Sequence, residues 1–225
     1  MQSPVSARPR RLIAVVGTGT EVGKTWVAAR LLTALRAQGA TVAARKPAQS
    51  FDPADTPAER DAAVLARATG EAPEDVCRPQ RWYEVALAPP MAAEALGLPA
   101  FTIDDLAGEM RWPDAFVDVG LVETAGGVRS PLAADGDCVA LCAALEPDLV
   151  VLVADAGLGT INAVRLSLGV LVGLRAPVVV VLNRFDDTLD VHVRNRDWLR
   201  TEGVRIATVP ADEGELLALI RNPAA

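Results

Sequence analysis

Apolar and polar positions alternate between two periods along this chain. Leu12-Ile13-Ala14-Val15-Val16 is an unbroken apolar run ending in glycine, the pattern of a strand buried on both faces. From Lys24 to about Arg36, Val27, Leu31, Leu32 and Leu35 recur at helical spacing, and Gly39 supplies a stop. Thr41 to Arg45 reads as a second strand, and the Ala-rich residues 60–69 as a helix closed by Gly70. Further strands are predicted at Val117–Val122, Leu149–Ala154, Val178–Leu182 and Val204–Val209, with a helix over Ile161–Leu174. Strands alternating with helices of this length predict an α/β fold, a mostly parallel sheet with helices on both faces. Residues 71–115, with several Pro, carry no readable period. No repeat or linker divides the chain, so residues 11–225 are expected to form a single domain behind a flexible tail of residues 1–10.

Composition narrows the function classes. The 29 Asp+Glu outnumber 22 Lys+Arg, for a formal charge of −7, which argues against a general nucleic-acid binder but leaves room for a local basic phosphate pocket. The longest apolar run is far shorter than the ~20 residues of a membrane span. The first twelve residues lack the apolar stretch of a secretory signal. Three Cys, an odd number, suit a reducing compartment, and a cytoplasmic location is expected. Cys138 and Cys142 fall side by side on any helix, but with one His in the chain a Cys/His zinc site is not expected. All three thiols read as small buried packing groups.

The strongest local signal follows the first strand: Gly17-Thr18-Gly19-Thr20-Glu21-Val22-Gly23-Lys24-Thr25. Strand, glycine-rich turn and helix start stand in the order of a nucleotide-binding P-loop. Backbone N–H groups of such a turn converge on phosphate oxygens, and the helix dipole adds to the attraction. Lys24 is placed to contact the outer phosphates and the Thr25 hydroxyl to ligate Mg²⁺. The spacing is G-x5-G-K-T, one residue longer than the usual loop, because Thr18 stands where that pattern wants Gly. ATPases that position plasmids carry a second Lys five residues before the loop Lys. Here that position is Gly19, which disfavours a partner-regulated switch.

Together with this loop, several segments resemble the dethiobiotin synthetase family. Gly17–Thr25 is similar to its GT-x-TEVGKT loop, and Lys46-Pro47 to its K-P element. Glu123-Thr124-Ala125-Gly126-Gly127 followed by Ser130-Pro131-Leu132 resembles its V-E-G-A-G-G…P-L. Gly159-Thr160-Ile161-Asn162 resembles its G-T/C-I/L-N, and Leu182-Asn183-Arg184 its nucleobase-reading strand end. Thr124 replaces a usual Gly, Gly19 a common Asp, and residues 71–115 match loosely around Ala88–Ala93.

The resemblance implies an ATP- and Mg²⁺-dependent enzyme that joins CO₂ to 7,8-diaminopelargonic acid and closes a cyclic urea. It implies Lys24 and Lys46 as the catalytic cations, with Thr20 and Glu21 facing the diamine nitrogens. Glu21 also fits a helix-start carboxylate, and Lys46 a surface lysine at a strand end. ATP would be held by Gly19, Thr20, Glu21, Val22, Gly23, Lys24 and Thr25, with Asn183 and Pro210 at the base. Thr20, Lys46 and Ser50 would meet the reacting end of the substrate. Gly159, Thr160, Ile161 and Asn162 would take its carboxylate across a homodimer interface, or form a plain helix N-terminus. The implied metal ligands are Thr25, Glu123 and Asp61, with Asp52 and Asp55 in the same loop as alternatives. Asn183-Arg184-Phe185-Asp186 also resembles the base-reading N-K-x-D of GTPases, so the preference for ATP rests on the family. A related carboxyl-activating synthetase and an ATP-bound interaction switch are the competing readings.

Overall fold

The computed structural model describes residues 8–210 and 212–221. Its elements follow in chain order. First come strand β1 (Arg11–Gly17), helix α1 (Lys24–Ala37), β2 (Val42–Arg45) and the two-residue β3 (Gln49–Ser50). Next are α2 (Asp61–Thr69), α3 (Pro73–Val76), a 3₁₀ turn (Pro79–Arg81), β4 (Trp82–Tyr83), α4 (Pro89–Ala95) and α5 (Ile103–Glu109). Then β5 (Val119–Glu123), β6 (Pro131–Ala133), β7 (Gly136–Asp137), α6 (Cys138–Leu145), β8 (Leu149–Asp155) and α7 (Thr160–Leu171). Last are β9 (Val178–Asn183), α8 (Asp190–Thr201), β10 (Ile206–Thr208) and α9 (Glu213–Arg221).

Six strands form one parallel sheet in the order β10-β9-β8-β1-β5-β2, a single α/β domain with β1 inside it. Burial on both faces explains the unbroken apolar runs. Ile13 and Val15 point into one core with α1, α2 and α9, while Leu12, Ala14 and Val16 point the other way. The second face is split, with Val164, Leu171 and Leu199 under β8 and β9, and Ala92, Leu106 and Leu141 under β5. Parallel strands carry their C-terminal ends to one edge, so Gly17, Arg45, Glu123, Asp155 and Asn183 open onto the same rim.

The differences from expectation have local causes. The strand predicted at Val117 begins at Val119, because Asp118 is occupied by Thr41, whose N–H and hydroxyl both donate to its carboxylate. The helix predicted to Leu174 ends at Leu171, short of Gly173. Of the expected tail, residues 1–7 lie outside the described residues. Residues 8–10 are held: Arg8 pairs with Asp148 at 3.5 Å, and Arg10 N–H donates to the Val117 carbonyl. Pro9 also packs over Gly120, where a Cβ would collide with the proline ring.

Candidate functional site

Six residues separate the end of β1 from α1, and the shape of the connection depends on Gly17 and Gly23. A Cβ at Gly17 would lie 3.0 Å from Lys24 Cδ and 3.1 Å from its Nζ, so this glycine makes room for the lysine stem. That close approach accounts for glycine at 17 in a loop one residue longer than usual. Gly23 adopts φ +89°, and a Cβ there would overlap the Asn183 amide. Lys24 folds back to donate to the Gly19 carbonyl at 3.0 Å. Among the described residues, the N–H groups of Val22 and Gly23 have no acceptor, as an anion-binding turn requires.

Beside the loop lies a cluster built from four elements. Thr25 Oγ1 lies 2.7 Å from Asp61 Oδ1 and 2.8 Å from Glu123 Oε1. Lys46 Nζ lies 2.7 Å from Asp61 Oδ2 and 2.7 Å from Glu123 Oε1, and donates more weakly to the Thr124 carbonyl. Thr25 comes from the first turn of α1, Lys46 follows β2, Asp61 opens α2 and Glu123 ends β5. Glu123 is 0 % exposed and Lys46 3 % exposed, so both charges depend on their partners.

The charges are unequally balanced. Burial alone would lower the Lys46 ammonium, but Asp61 and Glu123 reverse this and hold it above the ordinary lysine value. Burial would raise Asp61, and Lys46 beside it prevails, leaving its carboxyl below the ordinary value. Glu123 goes the other way: full burial raises it, and Lys46, which it shares with Asp61, offsets only part of that. Lys24 is lowered by burial first and then by Lys46. Glu123 Oε2 is buried without a hydrogen-bond partner. An orphaned carboxylate oxygen beside a second carboxylate and a threonine hydroxyl is an all-oxygen donor set, which fits Mg²⁺ completed by water.

The cluster floors a cleft of about 770 Å³. Of the residues singled out in the sequence, Thr20, Glu21, Gly23, Lys24, Thr25, Lys46, Ser50, Asp61 and Glu123 line it together. Ser50 Oγ is buried there without a partner. Of the three candidate aspartates, Asp61 joins Glu123, whereas Asp55 caps the N–H of Asp52 on an exposed loop. Gly19 and Val22 contribute backbone rather than walls, their carbonyls accepting from Lys24 and Asn183. Asn183 is buried at the end of β9, donating to the Val22 carbonyl at 2.9 Å while its own Oδ1 has no partner. Pro210, exposed after β10 and preceded by a cis peptide bond, does not line the cleft. Nor do Gly159, Thr160, Ile161 and Asn162: they form the turn into α7, where Thr160 Oγ1 donates to the Asp155 carbonyl.

Of the opposite wall the sequence offered only the loose match around Ala88–Ala93. Ala86, Leu87 and Ala88 before α4, with Pro89 and Met91 in its first turn, face the charged floor, and Trp26 lines the cleft next to Thr25. Pro89-Pro90 at a helix start was the available signal for α4, and Thr102 with Asp105, which form a capping box, was the one for α5.

Residues 11–205 match a family model described as an AAA domain. The solved structure of a plasmid partition protein from Borrelia burgdorferi aligns with a TM-score of 0.57 at 13 % identity, over 96 % of this chain and 98 % of that one. That likeness shows the fold alone. Fold and loop thus define a P-loop nucleotide-binding protein. A Caulobacter vibrioides (strain NA1000 / CB15N) protein named ATP-dependent dethiobiotin synthetase BioD is 44 % identical over 184 residues, 76 % of this chain and 80 % of that protein. A Rhodococcus jostii (strain RHA1) protein of the same name is 37 % identical over 91 % of this chain and 88 % of its own length. This chain belongs to the dethiobiotin synthetase family.

Proposed function

We propose that the chain uses ATP to carboxylate 7,8-diaminopelargonic acid with CO₂ and close the product to dethiobiotin, a step of biotin biosynthesis. The observation that carries this reading is the meeting of Lys46, Asp61, Glu123 and Thr25 beside the P-loop, on the floor of a cleft with an apolar far wall.

The chemistry demands such a site. One amine adds to CO₂, forming a C–N bond and losing a proton, which Glu21 would accept. The carbamate is a weak electrophile with a poor leaving group, so its oxygen takes the γ-phosphoryl group and ADP departs. The neighbouring amine then attacks the carbonyl carbon and expels phosphate, which carries off the amine's proton, closing the urea ring. Positioning and charge stabilisation dominate phosphoryl transfer. Lys24 would bridge the outer phosphates, and Lys46 would neutralise charge developing on the transferring group. Thr25, Asp61 and Glu123 would hold Mg²⁺, which when bound supplies positive charge to the phosphates. Thr20 and Ser50 would orient the amine end, and Asn183 and Pro210 would read the base. The turn Gly159–Asn162 would receive the substrate carboxylate from a neighbouring copy in a homodimer, since it stands outside the cleft of its own chain. A cytoplasmic location accords with three unpaired, buried thiols.

The test is a turnover assay with purified protein, ATP, Mg²⁺, bicarbonate and the diamine. Phosphate release that requires both bicarbonate and diamine, with dethiobiotin as product, is expected. Release independent of diamine would overturn the reading.

A further inference from the structure

Two successive residues at the end of β9 grip two successive carbonyls of the phosphate loop. Asn183 donates to the Val22 carbonyl at 2.9 Å, and Arg184 Nη2 to the Glu21 carbonyl at 2.9 Å. In a trans peptide the C=O and the following N–H point in opposite directions. Drawing the carbonyls of Glu21 and Val22 toward β9 therefore turns the N–H groups of Val22 and Gly23 away from it, and among the described residues neither of these two donors has an acceptor.

The grip carries a conformational cost. Glu21 (φ +60°) and Arg184 (φ +56°) are both in the left-handed region that side chains other than glycine disfavour, and one hydrogen bond joins them. Neither has a glycine's freedom, so the surrounding contacts must hold the geometry.

The second arm of Arg184 supplies such a contact. Nη1 pairs with Asp155 Oδ2 at 3.1 Å. Asp155 ends β8, beside Asn183 in the strand register. Its Oδ1 accepts from the Gly157 N–H at 2.8 Å and its carbonyl from Thr160 Oγ1, and so it also shapes the turn into α7. Asn195, buried on α8, fixes that turn from behind by donating to the carbonyls of Ala156 and Gly157. A braced turn thus holds Asp155, Asp155 holds Arg184, and Arg184 holds the loop.

We propose that Arg184 is a positioning residue that locks the phosphate loop in its anion-binding form, anchored through Asp155 to the turn that opens α7. The proposal concerns nucleotide binding and stands apart from which acceptor is carboxylated.

The experiment measures affinity for a non-hydrolysable ATP analogue with Mg²⁺ by calorimetry, on full-length wild type, Arg184→Ala, Arg184→Lys, Asp155→Ala and the double variant Arg184→Ala/Asp155→Ala. A hydrogen bond from a charged group that is half exposed predicts that Arg184→Ala weakens binding about tenfold and Asp155→Ala about threefold. The double variant should be no weaker than Arg184→Ala alone, because both changes cut one chain. Arg184→Lys should restore part of the loss. Amide hydrogen exchange across residues 19–23 should rise in Arg184→Ala while the unfolding midpoint stays near wild type, which a merely structural role would not produce. Wild-type affinity in Arg184→Ala, additive losses in the double variant, or unchanged exchange in the loop would each overturn the proposal. If wild type binds the analogue but does not consume the diamine, the reading of function falls and this one still stands or falls on the affinities.

Discussion

The two walls of the cleft are made differently. The floor holds Lys24, Lys46, Asp61 and Glu123, drawn from the ends of sheet strands and the helices they feed, and all but Asp61 are almost wholly buried. The far wall, Ala86 to Met91, lies outside the sheet; Leu87 is 40 % exposed and Met91 51 % exposed. A buried charge network needs a rigid frame, because a partner displaced by an ångström leaves an uncompensated ion. An apolar wall needs only area, and a loop with the first turn of a seven-residue helix supplies it. On the function proposed above, reaction chemistry would sit on the sheet, and selection among substrates would fall to a segment that can vary without disturbing it.

The largest test of that division is Lys46→Ala. Removing a cation from developing phosphoryl charge should cut kcat about a thousandfold, with ATP-analogue affinity within severalfold of wild type. Unchanged turnover would remove Lys46 from the chemistry and break the contrast at its floor. The complementary change, Leu87→Ser with Met91→Ser, should raise KM for the diamine roughly tenfold through lost apolar contact and leave kcat near wild type. A loss confined to kcat would mean that the wall takes part in the chemistry.

The smallest expected effect is on stability against pH. Lys46 overcomes burial to hold the Asp61 carboxyl below its ordinary 3.8, so the stabilisation from Asp61 is present above that value and lost as pH falls through the depressed folded-state pKa. Urea unfolding of wild type and Asp61→Asn should show a gap at neutral pH that narrows below about pH 3.8. A gap that stays constant into acid would show that Asp61 is not held charged by Lys46.

The same contrast explains what could be read from the sequence. Strands β1, β8 and β9 are buried on both faces and announce themselves as unbroken apolar runs, and the loop after β1 follows from its glycines and Lys24. Helix α8 escaped notice because Asn195 and Leu199 alone are buried along its twelve residues, too sparse a stripe to show a period. The segment from Pro73 to Glu109 escaped because α3, α4 and α5 span one or two turns each and fill a core by tertiary contact, as Ala92, Phe101 and Leu106 do. Lys24 and Thr25 were legible through the spacing of the loop, and Lys46, Asp61 and Glu123 only through the family resemblance. The wall was not, because exposed Leu and Met next to prolines look like any surface loop. Arg184 was legible only as part of a base-reading motif; its grip on Glu21 depends on backbone angles that no sequence pattern prints.

Gly23 and Asn183 compete for one small volume, although 160 positions of sequence separate Gly23 from Asn183. A lineage that gained even a methyl group at the first would have to give up the amide at the second, and with it the hydrogen bond to Val22. Of the two single changes, the one at Gly23 collides with the Asn183 amide and the one at Asn183 loses the hydrogen bond. Because Gly23 also sits at φ +89°, exchange at both positions together would still strain the loop, and the two positions should stay as they are long after their surroundings have diverged.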